Sequence, residues 1–233
     1  MGIKKIGIIG GIGPESTIDY YKLIIKKIKK AVQSSDYPQI IINSINMTQL
    51  LNFINQKQFI ELVSFLRIEV NKLEMAGADF CVLAANTPHI IFDELKENIN
   101  MPIISIVKET CKKIKIKELD KVGLIGTKFT MEAGFYNKVA EKYNIQIITP
   151  DKKQQNYIHN KYMNELVFGI INDVTKVELI GIINNLQKAY NIQGLILGGT
   201  ELPLILKQDD FNDIIILNTT EIHVDSIVRF ALS

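Results

Sequence analysis

The chain has 233 residues, 47% of them hydrophobic, with 27 basic against 25 acidic side chains and two cysteines. Such a composition excludes a disordered chain, gives no electrostatic basis for nucleic acid as the main partner, and supplies no disulfide framework, so a reducing cytoplasm is the expected compartment. No apolar run approaches the roughly 20 residues that cross a bilayer, and no signal-peptide pattern follows Met1, so no membrane partner is expected.

Ile3 to Ile9 is an apolar run of β type that ends in Gly10-Gly11-Ile12-Gly13-Pro14-Glu15. A helix follows, with apolar positions at Ile18, Tyr21, Ile24, Ile25 and Ile28 and with Ser16 or Thr17 as its expected cap. The basic run Lys26-Lys27-Ile28-Lys29-Lys30 on that helix reads as a solvated face. Gln39 to Ile45 is a second strand, and Gln58 to Met75 a long amphipathic helix closed by Gly77. Phe80-Cys81-Val82-Leu83 then stops abruptly in Ala84-Ala85-Asn86-Thr87, the pattern of a buried parallel strand delivering a polar loop. Ile91 to Leu95 reads as helix and Ile103 to Ile106 as strand.

The plan then repeats. Lys121-Val122-Gly123-Leu124-Ile125-Gly126 restates Lys5-Ile6-Gly7-Ile8-Ile9-Gly10, and the spacing from Gly10 to Ala85 nearly equals that from Gly126 to Gly199. Thr130 to Tyr143 reads as helix, Ile145 to Ile148 as strand, Thr175 to Tyr190 as helix, Gly194 to Leu197 and Ile214 to Leu217 as strands, and Thr220 to Ala231 as the last helix. An internal duplication of α/β type is the simplest account, with two similar doubly wound parallel-sheet domains and a cleft between them. The expected domains are residues 1–101 with 218–233, and 102–217.

Ligands of open α/β sheets bind at the carboxyl ends of the strands. Gly11, Gly13 and Ser16 nearly match a dinucleotide fingerprint, but Pro14 removes a donor, the third glycine is absent, and the second strand ends without an acidic group for a ribose. A substrate carboxylate suits this turn, although backbone geometry alone can also require its glycines. Thr127, Lys128 and Thr130 stand at the equivalent turn of the second half and suit a carboxylate again. Asn86-Thr87 and Thr200-Glu201 follow the two central strands. Each pair alone reads as helix capping; their symmetric placement points to ligand contact.

His89 is as well explained by packing as by chemistry, and His159 and His223 read as structural. No metal-ligand spacing and no G-x-S-x-G elbow is present, so neither a metal nor a cofactor is assigned.

Taken together, Gly10-Gly11-Ile12-Gly13-Pro14-Glu15-Ser16-Thr17, Asn86-Thr87-Pro88-His89, Gly126-Thr127 with Thr130 and Tyr136, Gly199-Thr200-Glu201-Leu202-Pro203 and Thr219-Thr220-Glu221-Ile222-His223 resemble the aspartate/glutamate racemase family over nearly the whole chain. The resemblance implies two α/β domains about a pseudo-twofold axis, a homodimer, and racemisation of acidic amino acids without pyridoxal phosphate. It also implies a cysteine immediately before Asn-Thr and another before Thr-Glu, one for each face of the α-carbon. Those positions hold Ala85 and Gly199, which carry no proton.

Cys81 lies on the strand leading to Ala85, about 13 Å back along it, and Cys111 falls in a lysine-rich helical stretch. The nearest acid, base or hydroxyl groups are therefore Thr87, His89, Thr200 and Glu201, with Gly11, Asn86, Thr87, Thr127, Lys128, Thr130, Gly199, Thr200 and Glu201 as substrate-binding candidates. Lys161 is a further candidate for a substrate carboxylate. Three functions are compatible with these residues: a racemase with a relocated acid/base pair, a silent binding protein for an amino acid or dicarboxylate, and a one-base lyase or isomerase.

Overall fold

The computed structural model describes residues 2–32 and 37–233, so Met1, from which the sequence reading starts, lies outside the described residues. The chain divides into two compact units, Met1–Ser105 with His223–Ser233, and Ile106–Ile222.

The first unit contains β1 (Ile6–Gly10), α1 (Pro14–Val32), β2 (Ile40–Ser44), α2 (Met47–Asn55), α3 (Phe59–Met75), β3 (Phe80–Leu83), α4 (Phe92–Glu97) and β4 (Ile103–Ile104). All four strands are parallel, in the order β2-β1-β3-β4. Alternation along β1 turns Ile6 and Ile8 to one face, where Tyr20, Ile24 and Ile28 of α1 pack with Val224, Ile227 and Ala231. Gly7 faces the other way, beneath α3: a Cβ there would lie 3.1 Å from Leu73 Cδ1. Each fully buried Ile or Leu contributes about 1.5–3 kcal/mol, so these two helical stripes fix which face of the sheet each helix covers.

The second unit contains α5 (Ile106–Ile116), β5 (Lys121–Gly126), α6 (Lys128–Glu132), α7 (Phe135–Glu141), β6 (Gln146–Ile148), α8 (Lys152–Asn164), α9 (Asp173–Tyr190), β7 (Gly194–Gly198), α10 (Leu202–Ile205) and β8 (Ile215–Asn218). The last helix, α11 (Thr219–Ala231), begins here, and its residues from His223 belong to the first unit. Its sheet has the order β6-β5-β7-β8, again all parallel. Ile125, Leu195 and Leu197 form a core with Ile158 of α8 and with Leu179, Ile183 and Leu186 of α9. The two units thus share one strand order, as the repeated sequence implied.

Four elements differ locally from the expected ones. Neither Ser16 nor Thr17 caps α1, which starts at Pro14, a residue suited to the first helical turn because it lacks an N–H. The expected helix over Thr130–Tyr143 is two helices, α6 and α7, broken at Gly134 in the left-handed conformation with φ 74°. The strand expected over Ile103–Ile106 is two residues long, because α5 already begins at Ile106. The stretch after Asn86 opens with a 3-10 turn, Thr87–Ile91, before α4.

Candidate active site

In the first unit, Ile9 pairs with Leu83, and the Ala84 N–H extends the ladder by donating to the Ile9 carbonyl at 2.9 Å. The glycine turn is fastened from α1. Thr17 Oγ1 accepts the Gly11 N–H at 2.9 Å, and Ser16 Oγ donates to the Ala84 carbonyl at 2.9 Å. Gly11 is required here on two counts: its φ is +77°, and a Cβ would lie 2.5 Å from the Ile45 carbonyl oxygen. Its N–H, expected to meet a substrate anion, is donated to Thr17.

Asn86 and Thr87 follow, both buried. Asn86 stands at the start of the 3-10 turn without a side-chain capping bond, so capping does not account for it. His89 is buried, stacks on Phe92 with ring centroids 5.0 Å apart, and donates Nδ1–H to the Ala85 carbonyl at 3.1 Å. Burial, with the nearby His223 second, pushes its pKa down to about 3, so it is a neutral imidazole at physiological pH. His223, also buried, is bonded on both nitrogens: Nε2 donates to the Ile104 carbonyl at 3.1 Å, which leaves Nδ1 to accept the Tyr20 hydroxyl at 2.7 Å.

The second unit repeats this frame. Ile125 pairs with Leu197 as Ile9 does with Leu83, so Ala85 and Gly199 each lie two residues past equivalent partners. A threonine again seats against the glycine closing the first strand. A Cβ on Gly10 would meet Thr17 Cγ2 at 2.5 Å, and one on Gly126 would meet Thr130 Cβ at 3.2 Å. Thr127 caps α6, its Oγ1 accepting the Thr130 N–H at 3.2 Å and lying 3.0 Å from Thr130 Oγ1. The Lys128 N–H donates to His159 Nδ1 at 3.3 Å. Burial first and the Lys128 charge second lower the pKa of His159.

The end of β7 is closed by α8. Gln155, Ile158 and Tyr162 form its buried stripe, and Tyr162 extends over Gly199. Its hydroxyl donates to Glu201 Oε2, which also accepts from Thr200 Oγ1 at 2.9 Å. Glu201 is 2% exposed and has no side-chain capping bond to α10. Burial above all, then the Glu201 carboxylate, raises the Tyr162 pKa well above the ordinary phenol value. Lys161, the neighbouring candidate for a substrate carboxylate, is paired with Glu165 at 2.5 Å, and that bond raises its pKa. Among the described residues no cluster of His, Cys, Asp and Glu that could hold a metal ion is found. No helix among them is long and apolar enough to cross a membrane.

Both thiols are buried, and burial pushes each to about 12. Neither serves as a proton carrier near neutral pH. The structure therefore groups Asn86, Thr87 and His89 around the end of β3, Thr127, Lys128 and Thr130 around the end of β5, and Thr200 and Glu201 at the end of β7. Sequence reasoning missed Ser16 and Thr17 as the stitches of the glycine turn, and Tyr162 altogether. The signal for the helix that carries Tyr162 is present: Asp151 and Gln154 form a capping box.

Comparison with known proteins identifies the family and agrees with the fold. Residues 9–227 match the Asp/Glu/hydantoin racemase family. The broad specificity amino-acid racemase RacX of Bacillus subtilis strain 168 is 30% identical over 153 residues, which cover 64% of this chain and 66%, just under two thirds, of that protein. Among solved structures, a putative Asp/Glu racemase from Yersinia pestis superposes with a TM-score of 0.90 at 31% identity, covering 99% of this chain and 100% of the other. An aspartate racemase homologue from Pyrococcus horikoshii OT3 gives 0.85 at 35% identity, with 99% and 100% covered. With the family matched along almost its entire length, the chain belongs to the Asp/Glu/hydantoin racemases.

Proposed function

We propose that this protein acts on an acidic amino acid, exchanging its α-proton without pyridoxal phosphate, as a cytoplasmic homodimer. The observation that supports this most is Glu201: a buried carboxylate at the end of a central parallel strand, held by Tyr162 and Thr200. In this reading Glu201 is the base, Thr200 orients it, and Thr127, Lys128 and Thr130 of the same unit offer hydroxyls and an ammonium to the substrate's carboxylates. His89, neutral and bonded to its own backbone, shapes the loop that carries Asn86. Ala85 and Gly199 replace the family's cysteines, so the two-thiol mechanism is not available to this chain.

A second reading is a binding protein for an acidic amino acid or small dicarboxylate. The absence of any protic side chain at position 85 favours it, since inversion needs a proton carrier on each face. One experiment separates the two: deuterium incorporation at the α-carbon of L- and D-aspartate and glutamate, run beside thermal shifts with aspartate and succinate. Incorporation that Glu201→Gln abolishes supports the enzyme. A raised melting temperature without incorporation supports the binder, and neither effect contradicts both.

A further inference from the structure

Resting on the enzymatic reading, we infer that Tyr162 is the proton-transferring side chain at the end of β7 and that glycine at position 199 is what admits it there. An ideal Cβ at 199 would lie 2.3 Å from Cε2, 2.8 Å from Cζ and 2.9 Å from the hydroxyl oxygen of Tyr162. No side chain other than hydrogen coexists with the ring in that position. The phenol oxygen thus stands within the volume that a side chain on residue 199 would fill, at the strand edge where α/β sheets bind ligands. Tyr162 and Glu201 are 39 positions apart in sequence, and the missing Cβ at 199 leaves room for the buried hydrogen bond between them.

The chemistry follows from which charges the site tolerates. A free phenolate is disfavoured here, because burial and the adjacent carboxylate both oppose it. A relay avoids forming one. The Cα–H bond breaks with its electron pair remaining on carbon and delocalising into the substrate's own carboxyl group. The released proton bonds to the Tyr162 oxygen as the phenol's original proton passes to Glu201 Oε2. Tyr162 is neutral before and after, Glu201 becomes a carboxylic acid, and the reverse transfer returns a proton to carbon. Thr200 Oγ1, donating to the same carboxylate oxygen, fixes the acceptor in place.

Two variants test this against the wild type, each scored for α-deuterium incorporation, for the thermal shift given by succinate and for its own melting temperature. Tyr162→Phe keeps the ring and removes the proton, and its expected exchange rate is lower by on the order of 100-fold with the succinate shift retained. Gly199→Ala keeps phenol and carboxylate but displaces the ring, and exchange is expected to fall as far. Wild-type exchange that Tyr162→Phe matches within threefold, or that Gly199→Ala leaves intact, overturns the inference while leaving the proposed function standing. Loss of the succinate shift together with exchange in Tyr162→Phe assigns the phenol to binding and overturns the proton step. Absence of exchange in the wild type overturns inference and function alike.

Discussion

Tyr20 donates its hydroxyl to Nδ1 of His223 at 2.7 Å, a contact between α1 and α11, two helices 203 positions apart in sequence. The imidazole's other nitrogen donates to the Ile104 carbonyl, so one buried ring ties α1, α11 and β4 within the first unit. Tyr20→Phe removes the hydroxyl while keeping the ring, and the loss of this buried hydrogen bond costs about 0.5–1.5 kcal/mol. A lower melting temperature with unchanged ligand-induced shift is the expected result of differential scanning calorimetry.

A cysteine introduced at the end of β7 meets the ring of Tyr162. At position 199 the new side chain collides with Tyr162, and overpacking of this kind costs about 1–3 kcal/mol. Gly199→Cys should therefore unfold at lower temperature than the wild type, and Tyr162→Ala in the same chain should recover part of the loss. Urea midpoints for the single and double variants measure the coupling.

Thiol labelling provides an independent check of the core. Cys81 and Cys111 are buried, with both pKa values pushed to about 12, so a thiol reagent at pH 8 should modify neither in the native protein and both after denaturation. Fast labelling of Cys81 in the native state would contradict the position of β3 inside its sheet.

Acid sensitivity follows from His89. Its folded pKa of about 3 lies below the unfolded value of about 6.5, so between those limits the unfolded chain binds the extra proton. The contribution of His89 is complete above about pH 6.5 and is lost as pH falls toward about 3, at up to about 1.4 kcal/mol per unit. Near pH 5 the loss is about 2 kcal/mol. His89→Gln should show a shallower fall in stability over that window, measured by urea unfolding at successive pH values.

Much of this architecture is legible in the sequence because strands such as Phe80–Leu83 are unbroken apolar runs with small residues after them. The near-equal spacing of Gly10 to Ala85 and of Gly126 to Gly199 anticipated the shared register at Leu83 and Leu197. Other features depend on tertiary approach. Ser16 and Thr17 look like helix caps in one dimension, yet their hydroxyls serve β3 and the glycine turn. Gly199 reads as a lost thiol, and only the placement of α8 reveals that an aromatic ring fills the space. The helical pattern around His159 is legible, but Tyr162 does not stand out in it because the buried stripe of Gln155, Ile158 and Tyr162 is sparse among polar residues.

The central claim is a proton-handling carboxylate at the end of β7. Proton NMR of L- and D-aspartate in deuterated water, with wild-type protein and with Glu201→Gln at equal concentration, tests it most directly. The account predicts that the α-proton signal of at least one enantiomer decays with the wild type and persists with Glu201→Gln. Equal decay in both samples would contradict it.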